Sequence, residues 1–339
     1  MNSARYSKQS NDWWKSAVFY QIYPRSFYDS NNDGIGDLKG VVEKLDHLND
    51  GNGGGLGIDA IWLSPFFPSP QADFGYDVSD YCDVDPIFGS LKDFDSLVSE
   101  SHKRRIRVVI DLVLNHTSDQ HPWFAESRQN QTNVKADWYV WVDPGPDGKP
   151  PNNWLAVFGG AAWTYEPQRQ QYYLHNFLPE QPDLNWYNPE VREALAEVIR
   201  FWMNRGVDGF RLDTANYYAF DRQLRDNPKR QEGSEILEDG QEANPLSAYI
   251  TKYSKDRPEN LEFIKFLRKI FDEKEHITSI GEIGSGEGLN STLRLGADYV
   301  KRKDGLHLAY TFALLSEKMN ADYFDQVTEI TEEAIEDGW

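Results

Sequence analysis

The chain has 339 residues, with 55 acidic against 35 basic side chains and a formal net charge of −20. At 39% hydrophobic and 27% charged it has the composition of a globular protein, and no apolar run approaches the roughly 18–20 residues of a membrane helix. So acidic a chain repels phosphate backbones and anionic membrane faces, which excludes nucleic acid and membrane as partners and favours a small neutral ligand. The single Cys82 excludes an internal disulfide framework, and the polar N-terminus has no secretory apolar core, so a reducing, cytoplasmic setting is expected. The 11 Trp, 18 Tyr and 18 Phe fill a core for the most part and leave rings to stack on sugar faces.

In chain order, a short apolar run followed by an amphipathic helix recurs, the pattern of parallel β/α units. A strand is predicted over 18–23 (VFYQIY). After it, Asp29, Asn31, Asp33, the Ile35 carbonyl and Asp37 space oxygen atoms at every second residue, with Gly34 at the turn. Such a loop suits a hard cation, Ca²⁺ or Mg²⁺, or is a solvated Asx-rich turn. A helix is predicted over 38–49, a strand over 59–63, a helix over 91–103 and a strand over 107–114. Asn115-His116 closes that strand. His116 there serves a substrate hydroxyl, a metal or the core, and the other six histidines show no i,i+4 pairing to complete a metal site.

The next helix, 190–205, is capped by Asn188, has Pro189 in its first turn and stops at Gly206, and a strand over 207–212 follows at once. A helix over 259–274, strands over 277–283 and 306–312, and a helix over 323–336 complete the pattern. Two stretches are too long for ordinary loops. Residues 116–187, rich in Pro, Gly and Trp, predict a small inserted domain, and 215–258 a long loop over the active site. Both leave the C-terminal ends of strands, where β/α barrels hold their chemistry. The pattern favours a (β/α)8 TIM-barrel type domain of the α/β class with six of its eight units present. The alternative is an open doubly wound sheet, but Tyr23-Pro24-Arg25-Ser26 stands where its Gly-rich phosphate turn belongs. Residues 1–115 then begin the barrel, 116–187 form the insert and 188–339 continue the barrel, ending before a seventh strand.

Two carboxyls sit at strand ends. Asp213 closes Gly209-Phe210-Arg211-Leu212-Asp213, with Arg211 on its own face, a neighbour expected to keep it ionised. Glu282 closes Ser279-Ile280-Gly281-Glu282, with Ile280 on its face, an apolar setting expected to hold a proton. One charged and one protonated carboxyl on adjacent strands form the nucleophile and acid of a glycosidase; a structural Arg–Asp pair is the plainer account of the first.

Several ordered motifs resemble the α-amylase family of glycoside hydrolases, in its oligo-1,6-glucosidase and α-glucosidase subgroup. They are Phe19–Phe27, Asp73-Phe74-Gly75-Tyr76-Asp77, Asp111–Thr117, Gln181-Pro182-Asp183-Leu184-Asn185, Gly209–Asp213 and Ile280-Gly281-Glu282. The resemblance implies Asp213 as nucleophile and Glu282 as general acid/base. It implies Asp73, Tyr76, His116 and Arg211 as the grip on a terminal glucose, with Tyr76 as stacking platform and Thr214 and Phe177 beside it. The cation would take Asp29, Asn31, Asp33, Ile35 and Asp37, and no organic cofactor is expected. Thr214 stands where α-1,6-preferring relatives usually carry Val, which points to α-1,4 bonds. The implied reaction is retaining, exo-acting hydrolysis of maltose-sized α-glucosides through a covalent glucosyl-enzyme. A sucrose-using or transglucosylating enzyme of the same fold, or a non-catalytic scaffold protein, is the alternative. The family's third carboxylate, in an Asn-His-Asp stretch at the seventh strand, would lie beyond Trp339, so the chain is expected to be an inactive fragment of a longer enzyme.

Overall fold

The computed structural model describes residues 12–231, 245–285, 287–316, 318 and 320–335. The N-terminal stretch through Asn11 and residues 232–244 of the long loop lie outside them. The main sheet consists of β1 (Phe19–Ile22), β2 (Ala60–Leu63), β3 (Arg107–Leu112), β7 (Gly209–Leu212), β8 (Thr278–Ile283) and β9 (Leu308–Thr311), all parallel and paired in that order. The order never reverses, as it would in a doubly wound sheet, so the units run round in one direction. The sheet is also strongly curled. β2 and β9 are four strand spacings apart, about 19 Å if flat, yet the rings of Trp62 and Tyr310 on them are 6.1 Å apart. The architecture is an incomplete TIM barrel.

Alternation along each strand divides the side chains. Ile61, Leu63, Val108, Ile110, Leu112, Phe210 and Leu212 are buried in the core between the sheet and the helices, while Trp62, Asp111, Arg211, Glu282 and Tyr310 meet inside the curl. The outer layer contains α2 (Leu38–Leu48), α3 (Leu91–Lys103), α5 (Pro189–Asn204), α6 (Asn260–Phe271), α7 (Gly288–Val300) and α8 (Ala321–Ile335); α1 (Pro24–Phe27) and α4 (Pro122–Ser127) are single turns. Asp37, Ser90 and Asn188 cap α2, α3 and α5 by accepting first-turn N–H groups. α7 was not expected: GLNSTLRLGADYV has two Gly and no strong cap, and it is held instead by Leu289, Leu293 and Ala297 packing inward.

Between β3 and α5 the chain builds a second, antiparallel sheet in the order β4 (Trp141–Val142), β6 (Gln171–Leu174), β5 (Trp163–Glu166). It has its own small core of Val140, Trp154, Ala156, Ala162, Trp163 and Leu174. Phe220, Leu224 and Tyr253 of the long loop pack on that core, and Trp154 Nε1 donates to the Arg225 carbonyl at 2.9 Å. The insert thereby ties the loop down beside the strand ends.

Candidate active site

Parallel register assembles the centre of the site. Asp111 on β3 lies opposite Arg211 on β7, and Glu282 on β8 lies opposite Tyr310 on β9. The Arg211 guanidinium donates through Nη1 to Asp111 Oδ1 and Asp213 Oδ1, both at 2.7 Å, and its Nη2 forms an ion pair with Glu282 Oε2 at 2.6 Å. The Tyr310 hydroxyl closes the remaining side, 2.6 Å from Nη2 and 3.1 Å from Nε. One fork thus holds the side chains of Asp213 and Glu282 within a few ångströms of each other.

The expectation that Arg211 keeps Asp213 ionised does not hold in the isolated site. Burial pushes Asp213 well above the usual carboxylate range; Arg211 pulls it down, while Glu282 and Asp111 push it further up. Burial likewise raises Asp111 to about 6 against the pull of Arg211. The sequence reading counted Arg211 and Asp213 as a pair, whereas one cation here faces three carboxyls, so full ionisation would leave two negative charges uncompensated. A proton is therefore retained by the cluster and belongs to it as a whole. Glu282 is not in the apolar setting inferred from Ile280, since its carboxylate meets Arg211 and the backbone N–H of Thr214, 3.0 Å away. That N–H is aimed by strain: Thr214, β-branched, sits at φ 42. Its hydroxyl donates to Asp213 Oδ2 at 3.3 Å.

The other expected residues cluster beside this centre. Tyr76 donates to Asp111 Oδ2 at 3.4 Å, and its ring centre is 5.7 Å from the Arg211 guanidinium carbon. The turn that carries it is built by Asp77, which accepts the N–H groups of Ala72 and Asp73 and the Ser69 hydroxyl. Gly75 has φ 106, and a Cβ there would come within 3.0 Å of Pro65. Asp73 Oδ2 and His116 Nε2 are joined by the Gln181 amide, at 2.9 and 3.1 Å. Burial raises Asp73 and lowers His116 to about 3, which favours the neutral imidazole. Phe177 lies 5.2 Å from both His116 and Tyr217, ring to ring. Phe177, Thr214, Tyr217, Lys255, Glu282 and Phe312 are among the residues lining a cavity of about 240 Å³.

Sequence reasoning missed Asp111, Gln181 and Tyr310 as site residues. Asp111 and Gln181 stood inside quoted motifs, and strand alternation alone puts Asp111 on the inner face; only cross-strand register reveals Tyr310.

The residues of the 29–37 loop stand apart from this site. Asp29 accepts the N–H groups of Asn31, Asn32 and Gly34, Asn31 Oδ1 accepts that of Asp33, and Asp33 Oδ1 that of Ile35. Asp37 is buried and turned to Ser30 and the start of α2. The oxygen chemistry and spacing fit a hard cation, although no three His, Cys, Asp or Glu side chains gather as a metal group among the described residues. Among the described residues, no helix is long and apolar enough to cross a membrane.

The alpha amylase catalytic-domain family matches residues 21–337. The chain belongs to that family. It is 53% identical over 329 residues to a Rhizobium meliloti protein named "Probable alpha-glucosidase", covering 97% of this chain and 58% of that protein. It is 46% identical over 270 residues to an oligo-1,6-glucosidase of Parageobacillus thermoglucosidasius, covering 80% of this chain and 45% of the other. The chain thus spans about half the length of these relatives. A solved structure of an alpha-glucosyl transfer enzyme, XgtA, superposes with a TM-score of 0.89 at 50% identity, over 96% of this chain and 59% of that one.

Proposed function

We propose that this chain carries the nucleophile and the acid/base of a retaining α-glucosidase acting on the nonreducing end of small neutral α-glucosides such as maltose. The observation that supports it is the capture of Asp213 and Glu282 by one guanidinium at the C-terminal ends of adjacent strands. In this reading Asp213 attacks the anomeric carbon as Glu282 gives its proton to the leaving oxygen. Glu282 then takes a proton from water, whose oxygen displaces Asp213 and releases α-glucose. The substrate displaces part of the cluster's mutual hydrogen bonding, and the proton shared there is the one Glu282 delivers. Asp73, neutral His116 and Arg211 would bond the glucose hydroxyls, Tyr76 would stack on the ring, and Phe177 and Thr214 would border the bond cleaved, with Thr214 favouring α-1,4 linkages. A hard cation would be held by Asp29, Asn31, Asp33 and the Ile35 carbonyl, with Asp37 behind them, and would stabilise the loop rather than take part in chemistry.

A second reading has a specific support. The XgtA structure is named for glucosyl transfer, and a trehalulose synthase from Pseudomonas mesoacidophila superposes with a TM-score of 0.81 at 39% identity. Both readings share the first step, so trapping tests what they have in common. A 5-fluoro-α-glucosyl fluoride should leave a mass adduct on the peptide containing Asp213, absent in Asp213→Asn. An adduct on another carboxylate would overturn the assignment. Product analysis with maltose and with sucrose then separates hydrolysis, which yields glucose, from transfer, which yields new disaccharides.

A further inference from the structure

The cavity of about 240 Å³ lies to one side of the reacting carboxyls. Glu282 and Thr214 line it, whereas Asp213, Arg211, Tyr76, Asp73 and His116 do not. A glucose gripped by those side chains sits outside it, and the cavity faces what Glu282 would protonate, the group bonded to the leaving oxygen. The nitrogen donors on its wall are engaged with the protein itself. Asn216 Nδ2 donates to the Gly284 carbonyl at 2.8 Å and to Asp256, and Lys255 Nζ donates to the same carbonyl at 3.0 Å. Arg230 donates through Nε to the Ser247 carbonyl at 3.0 Å, and the Thr214 hydroxyl donates to Asp213.

What the wall offers beyond these is ring surface. Phe177 and Tyr217 lie 5.2 Å apart, ring to ring, and Phe312 lines the same cavity. The Phe312 ring closes on the strand end that carries Glu282, so near that a Cβ at Gly284 would come within 2.8 Å of it. Toward solvent the rings continue. Phe158, next in sequence to the cavity-lining Val157, is 59% exposed and packs at 6.1 Å against Phe177. A sugar stacks one face on a ring and needs polar partners along its hydroxyl edge, and each hydroxyl buried without one costs free energy. Rings from separate segments meet that edge with carbon instead, whereas an aryl group gains from the same surface.

We propose that this cavity selects the leaving group and favours an aryl group over a second sugar, with Phe177, Tyr217 and Phe312 as its contacts and Phe158 at its entrance. The inference rests on Glu282 as acid/base and narrows the substrate class to aryl α-glucosides. Calorimetric titration of the full 339-residue chain with three sulfur-linked ligands that resist hydrolysis tests it: phenyl 1-thio-α-glucoside, methyl 1-thio-α-glucoside and 4-thiomaltose. Expected is binding of the phenyl compound about tenfold or more tighter than the methyl one, with 4-thiomaltose no tighter than the methyl one. Phe158→Ala, at an exposed position where the thermal melt should stay unchanged, and Phe312→Leu should each weaken the phenyl compound about threefold or more and spare the methyl one. A merely structural role would weaken both ligands alike. Binding of 4-thiomaltose as tight as that of the phenyl compound, or equal losses for phenyl and methyl in both variants, overturns this inference and leaves the glucosidase reading standing. Binding of none of the three overturns both.

Discussion

The strand-end cluster and the 29–37 loop are both rich in carboxylates and close in sequence to strands, yet they are built in opposite ways. Asp111, Arg211, Asp213 and Glu282 come from three strands, and Arg211 meets Asp111 and Glu282 across large sequence separations. The polar atoms of the loop satisfy themselves within a few residues, Asp29 to Gly34 and Asn31 to Asp33. A site assembled by register is rigid and costly to disturb, and its charges shift one another. A site assembled by local turns is cheap to alter and leaves its neighbours alone.

Removal of Arg211 is the severest test of that contrast. Arg211→Met leaves buried Asp111 and Asp213 and part-buried Glu282 with no cation, and loss of one partner from a buried ionic group typically costs about 3–5 kcal/mol. Urea unfolding at neutral pH should register a loss of this order. Recovery is expected at low pH, where the carboxyls protonate. A loss below about 1 kcal/mol would place the cluster among solvated surface pairs instead.

Glu282→Gln separates chemistry from stability at the same fork. It removes one of three competing carboxyls and keeps the shape, so the melting temperature should hold or rise. In a longer form of the enzyme that turns substrate over, cleavage of an activated glucoside should change little in the first step, and that of leaving groups needing a proton should fall about 10²–10⁴-fold. Equal loss for both kinds of leaving group would deny Glu282 the acid role.

These tests bear on what the sequence could and could not convey. The barrel was legible because its signals are local: apolar runs of strand length, Asn188 before Pro189, Gly206 after the last turn. That Asp213 and Glu282 lie together was legible because strand ends mark them. Their protonation was not, since it depends on Asp111 reaching Arg211 from another strand, and a pairwise reading of Arg211 and Asp213 reverses the sign of the shift. α7 was missed for a related reason, because tertiary packing rather than propensity forms it.

Asp183 offers a gentler probe of long-range assembly. It joins the insert to β3 by accepting from Asn115 at 3.1 Å and from the Asn176 backbone at 3.2 Å, with the Asn176 amide on its second oxygen. Burial raises it to about 7. The folded state therefore holds this proton up to higher pH than the unfolded state does. Stability from this group is complete below about pH 4, where both states are protonated. It is lost as pH rises toward 7 and changes no further above that. Asp183→Asn should flatten the fall in melting temperature between pH 5 and 8 relative to the parent chain. An unchanged slope would assign the fall to other groups.

The smallest effect belongs to the loop. If Asp29, Asn31 and Asp33 hold a cation, Ca²⁺ binds the folded chain alone and stabilises it by an amount that grows with the logarithm of its concentration above Kd. Thermal melts in EDTA and in millimolar Ca²⁺ should then differ by a few degrees, and Asp33→Ala should abolish the difference while costing no more than about 0.5 kcal/mol in EDTA, as expected for an exposed turn. Because the loop's oxygens are already met by its own N–H groups, its shape does not require the ion, so the strand-end cluster should titrate identically in both buffers. A shift of the cluster's pH profile on adding Ca²⁺ would mean that the loop and the strand ends are coupled after all, through Asp37 and α2, and that the division between local and long-range construction is less complete than their hydrogen bonds suggest.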